Sequence, residues 1–333
     1  MPAAATLEKT VDVRGLQKRY GDLEAVRGVT FDVAPGETFG FLGPNGAGKS
    51  TTISMLCTLI HPTGGAAEVA GFDVEQNPLG VRRRIGLVFQ DPTLDEYLTA
   101  YENLQFHAEL YRMPKDRATE RIEAVLRMVG LWERRTGLVR TFSGGMKRRL
   151  EIARGLLHSP RVLFLDEPTV GLDPQTRLNI WEYIQRLRDT EAITIFLTTH
   201  YMDEAEYCDR IAIIDNGEIV VMDTPAALKA AVGKDRIVMR TDDDATATRE
   251  LDVRFGIHTT ATSDGLAFHV ADGEEFVPRL FADLPVGIQA VSIARPTLDD
   301  VFMSHTGRTI RDAESSSSER LAMNPMVRAR RGR

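Results

Sequence analysis

Phosphate chemistry is written most densely between residues 43 and 51. There Gly43-Pro44-Asn45-Gly46-Ala47-Gly48-Lys49-Ser50-Thr51 keeps the spacing G-x-x-x-x-G-K-[ST]. Its glycines let the backbone turn tightly, so that several N–H groups converge on one anion. An apolar, strand-like run over 38–42 leads in, and a helix-like run over 52–60 leads out. The start of that helix adds partial positive charge where the N–H groups converge. Lys49 is placed to reach β- and γ-phosphates, and the Ser50 hydroxyl to ligate Mg²⁺. This stretch predicts a nucleoside-triphosphate site without saying which reaction the triphosphate undergoes.

Two further runs could act on the same phosphates. The apolar run 162–165 ends in Asp166-Glu167. A buried strand would hold Asp166 near the metal, directly or through water. Glu167 projects differently and is placed to orient or deprotonate a water in line with the γ-phosphate. Adjacent acids after a strand often serve only as a helix cap; beside a phosphate loop they gain this second meaning. Ser143-Gly144-Gly145 precedes a helix-like run over 150–157. A serine cap on a flexible turn would explain it. Upstream of an acid strand, it reads instead as another anion-binding helix end: exposed N–H groups, a hydroxyl donor and room for close approach.

The elements that must carry these groups follow from pattern and punctuation. Residues 11–20 and 23–33 read as strands, with a turn at Ala34-Pro35-Gly36-Glu37 before the strand into the phosphate loop. His61-Pro62-Thr63-Gly64-Gly65 stops the following helix. Residues 66–70 and 85–89 are further strands. Over 97–135 the apolar residues recur at helical spacing: Leu98, Tyr101, Leu104, Ala108 and Tyr111, then Ile122, Val125, Leu126 and Val129. The α/β alternation resumes with a strand at 162–165, a helix near 176–187 and a strand at 193–197. Residues 211–214 and 219–222 pair as a hairpin across Asp215-Asn216-Gly217. After Gly233 the predicted order β-α-β-β-α-β suggests a small ferredoxin-like α+β module over 234–311, with one turn at Ser263-Asp264-Gly265. Residues 1–10 read as a frayed start. Residues 312–333, with four consecutive serines and several arginines, read as a disordered basic tail, either solubilising or touching anionic headgroups.

Composition narrows the class. The chain has 333 residues, 43% of them hydrophobic, and a net charge of −7. That charge argues against a generic polyanion binder. The longest apolar runs are strand-sized, so a membrane role requires a partner. Cys57 and Cys208 read as buried or incidental thiols. Arg82-Arg83-Arg84 reads as a solvated helix face.

Taken together these runs resemble the ATP-binding-cassette (ABC) ATPases. Phe142-Ser143-Gly144-Gly145-Met146 resembles the signature of that family, LSGGQ, with Phe in place of Leu and Met in place of Gln. The second change removes an amide from that position. Other features fall in the family's order over 11–233. The resemblance gives Tyr20 as the aromatic that stacks on adenine, Gln90 as the glutamine that touches Mg²⁺ or the attacking water, Asp173 in the D-loop Gly171-Leu172-Asp173, and His200 as the switch histidine. It implies an α/β P-loop core with an antiparallel β subdomain and a helical subdomain over about 97–158. It also implies ATP and Mg²⁺ as ligands. Each ATP would lie between Lys49 of one chain and Ser143 and Gly145 of a second copy, with Glu167 and His200 catalysing hydrolysis. Within the family the texture is closest to the ATPase subunits of daunorubicin-resistance-type exporters. This follows from the runs 166–174 and 199–206 and from Pro296-Thr297-Leu298-Asp299-Asp300-Val301-Phe302, which also fits an ordinary amphipathic helix. The resemblance therefore implies a homodimer on the cytoplasmic face of the membrane, driving a separate permease that exports a drug or another amphiphile. The alternative is a soluble ABC ATPase acting on nucleic acid or ribosomes; the single cassette argues against it.

Overall fold

The structure is a computed structural model and describes residues 9–262 and 265–307. The expected tail over 312–333, residues 1–8 of the expected frayed start, and Ser263-Asp264 of one expected turn lie outside the described residues. Thr10 is not frayed: its N–H donates to the Val33 carbonyl at 2.8 Å. The chain divides into two units, one reaching Thr224 and one beginning at Pro225.

The first unit opens with β1 (Val11–Tyr20) and β2 (Leu23–Val33), then β3 (Thr38–Leu42), which runs into the phosphate loop and α1 (Lys49–Leu56). Next come β4 (Gly64–Val69), β5 (Phe72–Asp73), α2 (Pro78–Arg82) and β6 (Ile85–Val88). The helical part holds α3 (Ala100–Leu110), α4 (Lys115–Met128) and α5 (Gly144–Leu156). The chain then returns through β7 (Val162–Asp166), α6 (Pro174–Glu191), β8 (Thr194–Thr199), the single turn α7 (Met202–Ala205), β9 (Arg210–Asp215) and β10 (Glu218–Asp223).

Two sheets form. The antiparallel one has the order β2-β1-β4-β5, the larger one β10-β9-β3-β8-β7-β6. In the larger sheet β6, β7, β8, β3 and β9 are parallel, and β10 returns antiparallel. Strands β3, β7 and β8 are buried along their whole length, which is why they read as unbroken apolar runs rather than alternating ones. Phe196 of β8 lies within 6 Å, centroid to centroid, of Phe31, Phe39, Phe41 and Phe164, one aromatic knot between the two sheets. The β9–β10 turn has both central residues, Asn216 and Gly217, at positive φ, as a two-residue hairpin demands.

The helical part buries the predicted stripe: Leu104 and Ala108 on α3, Ile122, Val125 and Leu126 on α4. Tyr111 departs from it. It is half exposed and stacks on His158 at 4.0 Å. Helix α3 begins at a Thr99/Glu102 capping box. Among the described residues no helix is long and apolar enough to cross a membrane.

The second unit comprises α8 (Pro225–Val232), β11 (Asp235–Thr241), α9 (Asp244–Phe255), β12 (Thr260–Thr262), β13 (Gly265–Val270), α10 (Gly273–Asp283), β14 (Ile288–Ala294) and α11 (Leu298–Thr306). Its sheet is antiparallel, ordered β12-β13-β11-β14, with the β-α-β-β-α-β succession of a ferredoxin-like module. The unit starts eight residues before Gly233, the glycine that marks it in the sequence, because α8 packs on α11. Strand β12 has only three residues, and Gly256, at φ +64, caps the end of α9. Leu298, Val301 and Phe302 of α11 are fully buried.

Candidate nucleotide-hydrolysis site

Parallel pairing brings the chemistry to one edge. Strand β8 lies between β3 and β7, with Leu42 opposite Thr199 and Asp166 opposite Thr198. The phosphate loop, the acid pair and His200 therefore leave the sheet side by side at its C-terminal edge, where open α/β sheets bind ligands. In the loop Gly48 has φ +107, and a Cβ there would stand 2.6 Å from the Ala25 carbonyl oxygen. Only glycine fits that position. Asn45, Gly46 and Ser50 are exposed, whereas Gly43, Pro44, Ala47, Gly48 and Lys49 are buried and Thr51 is half buried.

Lys49 donates from Nζ to the carbonyls of Gly43 (2.7 Å) and Pro44 (3.2 Å) and pairs with Glu167 Oε1 at 3.2 Å. The other oxygen of Glu167 lies 3.3 Å from His200 Nδ1. Ser50 Oγ donates to Asp166 Oδ1 at 3.2 Å, and Thr198 Oγ1 donates to the same oxygen at 2.5 Å. Thr198 Oγ1 also accepts from the Glu167 N–H at 3.0 Å. Glu167 is a non-glycine residue at φ +45. Such strain persists only where surrounding contacts fix it, here those of Glu167 to Thr198, Lys49 and His200.

Environment separates the two acids. Burial raises the Asp166 pKa; the Thr198 and Ser50 hydrogen bonds oppose this only in part, and the Glu167 charge adds to it. Burial also raises Glu167, but His200 and Lys49 outweigh it and leave the carboxyl below its ordinary value. Glu167 is thus an ionised, cation-flanked group suited to orienting water. The Ser50 hydroxyl and the Asp166 carboxylate form a hard-oxygen pair of the kind Mg²⁺ accepts beside substrate phosphates.

A second cluster forms where α5 meets α6. Ser143 caps α5, its Oγ accepting from the Met146 N–H at 3.3 Å. Asp173 caps α6, accepting from the Thr176 N–H (3.0 Å) and hydroxyl (2.6 Å). A Cβ on Gly145 would stand 2.5 Å from Thr176 Cγ2, and one on Gly144 3.3 Å from Leu172 Cδ2. The glycines let the two helix starts touch. Ser143, Gly144 and Asp173 are exposed, turned to solvent rather than toward Lys49 of their own loop.

Two expected residues stand apart. Gln90 is exposed just beyond β6, and among the described residues no hydrogen bond ties it to the acid cluster. Tyr20 is half exposed at the end of β1, with Lys18 Nζ 5.1 Å from its ring centroid. The arginine run is exposed but anchored: Arg82 donates to Thr58, and Arg84 lies over Phe72.

Sequence reasoning missed several participants. Thr198 holds both acids, yet a threonine in a strand gives no local sign of that. Its position near the end of β8, two residues before His200, was the available clue. Buried Glu204 accepts from the hydroxyls of Thr169 and of Thr199 (2.6 Å), tying the segment after the acids to the one before His200. Arg177 lies over the Tyr201 ring at 4.3 Å, and the His200 ring meets Tyr201 at a tilt, 4.1 Å away, linking α6 to the histidine.

Comparison with known proteins agrees with this geometry. The family profile described as ABC transporter matches residues 26–170, and one described as the C-terminal domain of DrrA1-3-like ATP-binding proteins matches 224–306. The linearmycin resistance ATP-binding protein LnrL of Bacillus subtilis is 38% identical over 91% of this chain and 100% of its own length. The daunorubicin/doxorubicin resistance ATP-binding protein DrrA of Streptomyces peucetius is 39% identical over 94% and 98%. The Nod factor export ATP-binding protein I of Burkholderia lata is 39% identical over 91% and 98%. Among solved structures, cbiO1 of Clostridium perfringens, part of the cbiONQ ABC transporter complex, superposes with a TM-score of 0.63 at 27% identity, covering 75% of this chain and 96% of that one. A dimeric cassette, MJ0796 bound to ADP and Pi, gives 0.58 at 28% identity, over 64% and 98%. The chain belongs to the ATP-binding proteins of ABC transporters: it binds ATP and is an ATPase of that class.

Proposed function

We propose that two copies of this chain close head to tail around two ATP molecules and drive a separate membrane permease that exports an amphiphilic small molecule. The observation that carries the reading is the division of the site. Lys49, Ser50, Asp166, Glu167 and His200 converge within one chain, whereas Ser143, Gly144 and Asp173 face solvent, with Gly145 buried behind them against Thr176. A second copy related by a two-fold axis would satisfy both halves at once. MJ0796, a relative in fold, is described as a dimer.

In this reading the loop N–H groups and Lys49 hold the triphosphate. Ser50 and Asp166 would hold Mg²⁺, which would supply positive charge to offset that of the phosphates. Lys49 leans on the γ-phosphate, and Glu167, still flanked by His200, orients the attacking water and accepts its proton. Ser143 and Gly145 of the second copy add fixed donors and exclude bulk water. Gln90, exposed at the edge of β6, reports occupancy, and Tyr20 stacks on adenine.

The permease would dock where α3 and α5 meet the core. A cavity of about 230 Å³ there is lined by Leu59, Leu87, Phe89, His107 and Tyr111, several of them apolar side chains left exposed. Export of an amphiphile is the reading supported by the relatives, whose names give resistance to linearmycin or daunorubicin and Nod factor export. Fractionation of cells tests the assembly. With its permease co-expressed, the chain should move from the cytosol to the cytoplasmic face of the membrane. If it stays wholly in the cytosol with every candidate permease, the exporter reading fails.

A further inference from the structure

Five residues after Ser143, helix α5 carries Arg148, whose side chain is buried. Its guanidinium donates from Nε to the Pro168 carbonyl (2.5 Å), and from Nη1 to the Phe89 carbonyl (2.5 Å) and Glu151 Oε2 (3.1 Å). From Nη2 it donates to the carbonyls of Asp166 and Glu167 (both 3.1 Å). One side chain therefore holds three successive carbonyls at the end of the acid strand and the residue just before Gln90. The grip on the Gln90 segment is two-sided. Glu151 accepts from the Thr93 N–H at 2.8 Å, and Arg154 donates to the Thr93 carbonyl at 2.8 Å.

A buried charge is costly, and apolar residues of similar volume are often as stabilising in its place. Stability alone does not call for an arginine here. A planar fork does something an apolar side chain cannot: it holds several acceptors in a fixed relation to one another. When α5 shifts, the guanidinium shifts with it, and the acceptors move as a set.

We propose that Arg148 is a positioning residue, which makes the placement of Glu167 and of Gln90 depend on the seating of the helix that begins at Ser143. Contact of Ser143 with a second copy's nucleotide is thereby felt at the chain's own water-activating carboxylate. The inference rests on the reading of Glu167 given above.

The test uses the full-length chain and steady-state ATP hydrolysis. Arg148→Lys keeps a positive charge opposite Glu151 but replaces the planar fork with a point charge. A misplacement of about 1 Å can cost on the order of a hundredfold in rate. Arg148→Lys should accordingly lower kcat about ten- to a hundredfold while KM for ATP and the affinity for a fluorescent ATP analogue stay within about twofold. Arg148→Met combined with Glu151→Leu removes both charges together and should show the same split, with a thermal midpoint near that of the parent. A parent-level kcat in Arg148→Lys overturns the inference. So does a loss of kcat matched by equal losses of ATP affinity and folded protein, or failure of both variants to fold, since each marks a purely structural role. Glu167→Gln measured in parallel separates the two claims. If Glu167→Gln still turns over at the parent rate, the site reading itself falls. If it is inactive while Arg148→Lys is not, only the role of Arg148 falls.

Discussion

Helices α1 and α5 both begin at a glycine-containing turn, and both leave backbone N–H groups to be satisfied. At α1 the preceding residue is Gly48, and no side chain caps the helix. At α5 Ser143 supplies the cap, and the turn is exposed. Neither first turn carries an acid, whereas α3, α10 and α11 place Glu102, Glu274, Glu275, Asp299 or Asp300 there. Helices α2, α6 and α8 also lack an acid in the first turn, so that feature alone does not set α1 and α5 apart. The difference lies in the surroundings. Around α1 the remaining chemistry is assembled, with lysine, paired acids and histidine in one buried cluster. At α5 a serine accepts one hydrogen bond as a cap and keeps its own hydrogen for another acceptor. In the proposed function one helix end is a site and the other is half of one, an asymmetry that a two-fold dimer would resolve.

The sharpest way to break this contrast is to disable each half separately. On the α1 side, Glu167→Gln should lower turnover on the order of 10²–10⁴-fold, the range for loss of a general base, while ATP stays bound and the dimer stays closed. Lys49→Ala should instead weaken nucleotide binding itself, by roughly tenfold or more for the loss of a charge-assisted contact. Nucleotide retention on size-exclusion chromatography distinguishes them. If both variants retain ATP equally, Lys49 is not the phosphate ligand.

On the α5 side the expected effect is smaller and different in kind. Gly145→Val forces a side chain into Thr176 Cγ2, which a Cβ would already approach to 2.5 Å, and so pushes α5 away from α6. Turnover should fall about tenfold or more through loss of the second copy's donors, as when one oxyanion-type donor is removed. ATP binding by dilute, monomeric protein should be unchanged. A parallel loss of monomer binding would show that the Ser143 turn serves its own chain's nucleotide and would erase the distinction between the two ends.

Much of this was legible in the sequence because it is local. The phosphate loop, the acids closing an apolar strand and the Ser-Gly-Gly turn each lie within nine residues, and strands β1, β2 and β3 coincide with their apolar patterns. What escaped is long-range. Thr198 reaches Asp166 only because β8 is inserted between β3 and β7, and sequence order does not give strand order. In the run Lys147-Arg148-Arg149 nothing local sets Arg148 apart from its neighbours. Its burial depends on where β7 and the Gln90 segment come to rest. The start of the second unit was misplaced because α8 belongs to it through packing on α11, a contact some seventy residues apart in the chain. Gln90 was read correctly as following a strand, but nothing in its neighbourhood says how far it stands from the acids.

Acidity offers a finer test of the same contrast. Burial raises the Asp166 pKa from its ordinary value, whereas that of Asp173, at the α6 start, is lowered by the Thr176 hydroxyl and N–H. As the pH falls, Asp166 should therefore take up a proton before Asp173 does. A proton on Asp166 competes with Mg²⁺, since a carboxylate must be deprotonated to ligate. Mg²⁺ titrations of ATP binding by Glu167→Gln should show the half-saturating concentration rising as pH falls, by roughly two- to tenfold. Asp166→Asn should abolish that pH dependence along with most of the Mg²⁺ requirement, and Asp173→Asn should leave both untouched. A pH-independent requirement in the presence of Asp166 would mean that the buried carboxylate does not face the metal, and the α1 end would lose the feature that makes it the complete one of the two.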